Sequence, residues 1–180
     1  MAGRLFAVVG PSGAGKDTLM AAAWARRPEL FLVRRVITRP SDAGGEDFDG
    51  VTETEFLEMR DAGEFSLWWQ AHGLYYGIPA SVDGALAEGR DVLFNGSRAV
   101  LAEAALRYPQ MVVLLVSASP EVLAERLAAR GRESAGDIAE RLKRAGFALP
   151  EGLDVREIRN DGALEDAVGA MLNLLQPESV

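Results

Sequence analysis

Between Gly10 and Thr18 the chain reads GPSGAGKDT, and no other stretch limits its fold as tightly. A short apolar run, RLFAVV (Arg4 to Val9), precedes it, and a helix-forming segment from about Lys16 to Arg26 follows. Gly10-x-x-x-x-Gly15-Lys16 in that context is a phosphate-binding loop. The glycines let successive backbone N–H groups turn inward, the helix N-terminus adds partial positive charge, and the lysine reaches the outer phosphates. Such a loop needs a buried strand behind it and a helix ahead of it, which predicts a parallel sheet covered by helices on both faces. Gly10, Pro11, Ser12, Gly13, Ala14, Gly15, Lys16, Asp17 and Thr18 are the expected ATP contacts. Of the 19 basic residues only Lys16 and Lys143 are lysines, so one of two scarce lysines stands where the loop requires one.

Asp17 departs from the pattern, which places a hydroxyl after the lysine to bind Mg²⁺. A bare carboxylate near a triphosphate is repelled by roughly 4 kcal/mol per close unit-charge pair at intermediate dielectric. A Mg²⁺ ion between them removes that repulsion, because Mg²⁺ takes oxygen ligands. Asp17 is therefore a candidate metal ligand. Two alternatives stay open: Asp17 turns away and Thr18 supplies the hydroxyl, or Asp17 is a solvated first-turn carboxylate favoured by the helix dipole.

The rest of the chain alternates strand and helix signals. FLVRRVIT (Phe31 to Thr38) predicts a second strand, and RPSDAGGEDFDG a loop by its Gly, Pro and Asp content. Thr52 with Glu55 forms a capping box for a helix ended by Gly63. FSLWWQAHGLYYGI predicts a hairpin turning at His72 and Gly73, a small inserted domain by position. Ser81 would cap a helix closed by Gly89. DVLFN and MVVLLVS are core strands, with a helix from about Ser97 to Arg107 between them. Ser119 and Pro120 start a helix that stops at Gly131. SAGDIAERLKRAGFAL is an arginine-bearing helical segment, VREIRN a last strand, and GALEDAVGAMLNLL a last helix.

The 180 residues suit one domain with a full core, and no apolar run reaches the ~18 residues of a membrane span. The short apolar N-terminus does not read as a signal peptide. The absence of cysteine excludes disulfides and thiolate metal sites and fits a cytoplasmic enzyme. A net charge of −8 argues against a nucleic-acid surface.

The later motifs ITRP, GGE, GEFSLWWQAHGLYYG, RLAARGRE and RND occur in this order over nearly the whole chain, which resembles the guanylate kinases. The resemblance implies a three-layer α/β/α P-loop NTPase fold. Its core would be residues 1–38, 81–128 and 150–180, with an acceptor-binding insertion at about 39–80 and an arginine-rich lid at about 129–149. The departures are informative. The Glu that reads guanine in those kinases is Leu67 here, the hydroxyl residue after Y-Y-G is Ile78, and the acidic strand LDID is LFNG, Leu93 to Gly96. The second acceptor arginine is lost around Asp42. A site built to hydrogen-bond a base loses discrimination steeply without those partners.

With GPSGAGKD, WWQAHGLYYGIP, NGSR and ARGRE together, the chain is more closely similar to the ribose 1,5-bisphosphate phosphokinase family, in which Asp also follows the loop lysine. That resemblance implies ATP-dependent, Mg²⁺-assisted phosphorylation of ribose 1,5-bisphosphate to 5-phosphoribosyl 1-diphosphate (PRPP), serving phosphonate catabolism, nucleotide synthesis or both. It implies catalytic roles for Lys16, Arg130 and Arg141, the two arginines closing over the transferring group. Asn160 would border adenine, and Arg39 is the retained acceptor arginine. Tyr75 and Tyr76 match the Y-Y-G segment, with hairpin packing as the alternative. Arg34 and Arg35 share a strand and face opposite ways, so one is only a surface residue. Arg35 enters the substrate set with Arg39, Tyr75, Tyr76, Asn95 and Arg98. Arg126 and Arg144 read equally well as lid arginines, which the resemblance implies, or as a solvated helix face. His72 is structural or touches substrate, and one of Trp68 and Trp69 is core. The expected partner is a small sugar phosphate, with no nucleic acid and no membrane, and a homodimer is left open. The rival readings are a GMP kinase and a non-catalytic guanylate-kinase-like binding module.

Overall fold

A computed structural model of the chain describes residues 2–11, 13–42, 48–129, 136–138 and 149–176. Five parallel strands make the main sheet: β1 (Leu5–Val9), β2 (Phe31–Leu32), β7 (Val92–Asn95), β8 (Val112–Ser117) and β9 (Asp154–Arg159), in the order β2-β7-β1-β8-β9. The phosphate loop leaves the central strand, so the ends of β7 and β8 flank it.

Alternation along each strand divides the core into two layers. Phe6 and Val8 of β1, Leu93 of β7 and Leu114 of β8 face α1 (Lys16–Arg26) and α6 (Leu164–Leu175), through Leu19, Met20, Ala23, Val168 and Met171. Ala7, Phe94 and Val113 face α3 (Ser81–Ala87) and α4 (Arg98–Arg107), through Val82, Ala85, Val100, Leu101 and Ala104. The result is the three-layer α/β/α arrangement with a parallel sheet. α5 (Pro120–Ala128) starts at the expected Ser119 cap, whose hydroxyl accepts from the Val122 N–H, with Pro120 in the first turn. Gly131, where this helix was expected to stop, lies outside the described residues, as does most of the segment assigned to the lid. No helix among the described residues is long and apolar enough to cross a membrane.

A second sheet, β4-β3-β6-β5, comprises β3 (Arg35–Ile37), β4 (Phe48–Gly50), β5 (Phe65–Ala71) and β6 (Leu74–Pro79). It corrects two expectations. The run Phe31 to Thr38 is not one strand. The Val33 N–H still donates to the Leu93 carbonyl in the main sheet, but the chain then turns at exposed Arg34 and joins the second sheet at Arg35. The segment read as loop contains β4, which pairs parallel to β3. Three residues are too few for periodicity to register, and the Gly and Asp around them pointed to a turn. Arg34 fixes this pairing through Asp49 (2.6 Å) and the Phe48 carbonyl (3.0 Å).

The hairpin turns at His72 and Gly73, both at positive φ (53° and 75°), which matches the strand twist. It is not a free-standing insert. Leu67, Trp69 and Ile78 pack into the same core layer as α3 and α4. Trp69 is the buried member of the tryptophan pair and Trp68 the exposed one. α2 (Glu53–Asp61) begins with the expected capping box, Thr52 and Glu55 exchanging bonds at 3.0 and 3.1 Å, and ends before Gly63 at φ 76°. Ser81 does not cap α3. It is the first helical residue, and Ala80, already in helical conformation and tied by its N–H to the Glu64 carbonyl, takes the cap position.

α2 has one buried side chain, Phe56, whose ring lies 4.7 Å from Phe65 and 5.2 Å from Tyr75. Phe56→Ala is expected to lower stability by about 3–5 kcal/mol, the range for truncating a buried aromatic. Urea unfolding of the variant measures this, and a loss below about 1 kcal/mol would show that α2 is held by its polar contacts instead.

Candidate active site

Around the loop, backbone geometry comes first. Gly13 and Gly15 both sit at φ 86°, which glycine adopts at little cost. Gly10 lies so close to β8 that a Cβ there would be 2.2 Å from the Val116 carbonyl oxygen. Gly15 is the N-cap of α1, which sets the partial positive charge of the helix N-terminus directly at the loop. Lys16 is the first helical residue, half-buried at the rim. Pro11 and Thr18 belong to the same rim, Ala14 is fully buried beneath it, and Ser12 lies outside the described residues.

Turning N–H groups inward leaves carbonyls facing the protein, and these need donors. Two side chains supply them. Asn160, just past β9 and buried, donates from Nδ2 to the Ala14 carbonyl (2.7 Å), while its own N–H donates to the Ser117 carbonyl (2.7 Å). Arg126, in the last turn of α5, donates to the carbonyls of Gly13 (2.9 Å) and Asn160 (2.6 Å). Reading Arg126 as part of a solvated helix face is thus corrected. Its guanidinium braces the loop from behind, across 113 residues of sequence that no local pattern spans. Asp161 continues this support. It accepts from the Ser119 N–H and from Arg159 at 2.8 Å, and the bond from Arg159 holds its carboxyl below the usual aspartate range.

The Asp17 side chain has an identifiable place. Asn95, buried at the carboxyl end of β7, donates from Nδ2 to Asp17 Oδ1 at 2.8 Å. Asn95 stands beside Val8 in register and shares the α1-facing side of the sheet with Leu93, whereas Phe94 points into the opposite layer. Sequence reasoning named both residues but put Asn95 on substrate and did not pair it with Asp17.

The remaining predicted residues separate. Arg39 lies over the Phe48 ring at 4.4 Å and lines a cleft of about 300 Å³ with Thr38, Pro40, Gly50, Val51, Thr52 and Glu55. The Thr52 backbone N–H, and then the Thr52 side chain, hold the Glu55 carboxyl below its ordinary range. Arg98, the exposed first residue of α4, lines an open cleft of about 530 Å³ with Ser97 and Ala99; His72 and Ala71 at the hairpin tip, and Pro150, form the rest of its wall. Arg35 is buried, 4.9 Å from the Tyr76 ring centre and 6.0 Å from that of Trp69. Tyr75 and Tyr76 occupy opposite faces of β6: Tyr75 meets Phe56 and Trp68, and Tyr76 stacks on Trp69. Arg130 and Arg141 lie outside the described residues.

Leu67 and Ile78 are cross-strand partners in the hairpin, 2% and 1% exposed. They do not line either cleft. Their side chains form part of the core layer beneath α3 and α4.

The guanylate kinase family model matches residues 2–177. A protein of Agrobacterium fabrum named ribose 1,5-bisphosphate phosphokinase PhnN is 48% identical over 96% of this chain and 96% of its own. One of the same name from a Ruegeria species is 49% identical over 98% and 93%. Among solved structures, guanylate kinase from Anaplasma phagocytophilum superposes with a TM-score of 0.71, covering 97% of this chain and 85% of that one at 19% identity. At that identity the likeness shows the fold.

Removing the brace tests its importance. Arg126→Met, similar in length without the donors, is expected to weaken ATP binding about tenfold, because bonds from a charged donor are worth about 1.5–3 kcal/mol each. Calorimetric titration with a non-hydrolysable ATP analogue measures it, and unchanged affinity would show that the loop holds its shape without Arg126.

Proposed function

The chain belongs to the guanylate kinase family and, within it, to the ribose 1,5-bisphosphate phosphokinases, and from that premise we propose that it transfers the γ-phosphoryl group of ATP to the 1-phosphate of ribose 1,5-bisphosphate, giving PRPP and ADP. The observation that carries this reading is the burial of Leu67 and Ile78 at 2% and 1% exposure. A base-reading pocket needs exposed polar groups at those positions, and here the space belongs to the core. Guanine's polar edge would be left without partners. The intact loop and Lys16 favour an enzyme over a binding module.

Phosphoryl transfer depends on positioning and charge neutralisation. One P–O bond to the bridging oxygen of ATP breaks and another forms to an oxygen of the acceptor phosphate. A phosphate monoester has its second ionisation near pH ~6, so the attacking oxygen is already anionic and no general base is needed. The inward N–H groups of the loop and Lys16 hold the β- and γ-phosphates, and adenine lies beside Asn160. Residues 39–80 form the acceptor-binding subdomain. Arg39 and Arg98, in separate clefts, suit an acceptor with two phosphates, each guanidinium offering a two-pronged donor. Arg35 and Tyr76 are taken up by packing, the guanidinium lying against the Tyr76 and Trp69 rings. The resemblance to the family gives Arg130 and Arg141 the role of closing over the reacting group and excluding water.

The donor chemistry of the loop also fits Mg²⁺: Asp17 is an exposed carboxylate beside Lys16, and Thr18 follows with a hydroxyl. These two residues would hold the ion, which supplies charge neutralisation between nucleotide and protein oxygens. We place the reaction in the cytoplasm, where ATP is available, and in PRPP supply for phosphonate breakdown or nucleotide synthesis.

Coupled ADP release with MgATP should show turnover with ribose 1,5-bisphosphate and at least 100-fold lower kcat/KM with GMP, a difference of about 2.7 kcal/mol in transition-state binding. Preference for GMP would overturn the reading. Leu67→Glu should not create a GMP kinase. It should destabilise the fold by about 3 kcal/mol or more, since it buries an unpaired carboxylate; thermal unfolding together with the GMP assay checks both outcomes.

A further inference from the structure

The Asn95–Asp17 contact joins the end of one core strand to the first turn of the loop's helix, and the proposed reaction as stated above uses only one of its two residues. Three observations bear on it. The amide is buried at 7% exposure, so its orientation is fixed by packing, while the Asp17 carboxylate it touches is exposed. The bond runs from Asn95 Nδ2 to one carboxylate oxygen, Oδ1, at 2.8 Å. The backbone on both sides is tied down: the Gly96 N–H donates to the Val8 carbonyl at 2.8 Å, and the Leu19 N–H to the Gly15 carbonyl at 3.0 Å.

We infer that Asn95 is a positioning residue that pins one oxygen of Asp17 and so aims the other at the metal shared with the triphosphate. A free aspartate in a first helical turn has several staggered rotamers. It also has a competing use, since a carboxylate there is drawn to the N–H groups of its own helix end. A neutral donor from the strand removes both freedoms without adding charge. A carboxylate at position 95 would instead place two anions at hydrogen-bond distance, and a lysine would cancel the charge that the metal needs. An amide is the donor that fixes Asp17 while neither adding nor cancelling charge. The Phe94 and Gly96 neighbours bring no carboxylate of their own, so the charge offered to the metal from this edge comes from the loop side.

The inference rests on the nucleotide and metal part of the proposed function and not on the identity of the acceptor. Its readout is binding: the ratio of ATP-analogue affinity with and without Mg²⁺, measured by calorimetry in the absence of any acceptor. In Asn95→Leu, similar in size without the donor, that ratio is expected to fall at least tenfold while metal-free affinity stays within twofold. Asp17→Asn is expected to lower it equally, and the double variant no further than either single one, because residues acting as a unit are non-additive. A ratio unchanged in Asn95→Leu, an equal loss with and without metal, or additive losses in the double variant would each overturn the inference. Should Asn95→Leu fail to fold, Asn95→Ala removes the amide without bulk and is read in the same way. A wild-type protein whose affinity ignores Mg²⁺ defeats the metal part of the proposed function and this inference together. An altered ratio with no turnover on ribose 1,5-bisphosphate defeats the acceptor assignment alone.

Discussion

The site depends on the need to turn the N–H groups of one loop toward a ligand while satisfying the carbonyls that this turns inward. Gly13 and Gly15 make the conformation sterically accessible. Asn160 and Arg126 make it stable, by supplying donors to the carbonyls of Ala14 and Gly13. Both donors come from distant parts of the chain that converge at the carboxyl edge of the sheet, one beyond β9 and the other on α5. The parallel topology is what brings them there: every strand of the main sheet ends on the same side, so β1, β7, β8 and β9 deliver the loop, Asn95, Ser117 and Asn160 to one edge.

The second sheet is organised by a different constraint. Its inner face must seal the core layer above α3 and α4, and Leu67, Trp69 and Ile78 do so. That sealing has a functional consequence, because residues committed to the core cannot read a base. Arg39 and Arg98 line separate clefts to which Leu67 and Ile78 do not contribute. The acceptor preference proposed here therefore follows from packing as much as from recognition.

Much of the site was legible because its demands are local. The glycine spacing, the lysine, the capping box of α2 and the positive-φ turn at His72 and Gly73 each require particular residues at short separations. Where local pattern was too short or ambiguous, the reading failed. β4 is three residues long, the break at Arg34 lies inside an apolar run, and the hydroxyl of Ser81 is one residue too far along to cap α3.

By itself, then, the sequence determined the phosphate loop and the alternating α/β order, because each is a matter of residue type at a fixed spacing, whereas the loss of base-reading groups at positions 67 and 78 came from the resemblance to the guanylate kinases. Tertiary structure decided what those residues touch. It put Asn95 on Asp17, set Arg126 behind the loop, sent Tyr75 and Tyr76 to opposite faces, and turned Leu67 and Ile78 into core. These are contacts across 78 and 113 residues for the loop, and across two sheets for the hairpin. They depend on how whole layers pack, and no periodicity within a single segment encodes them.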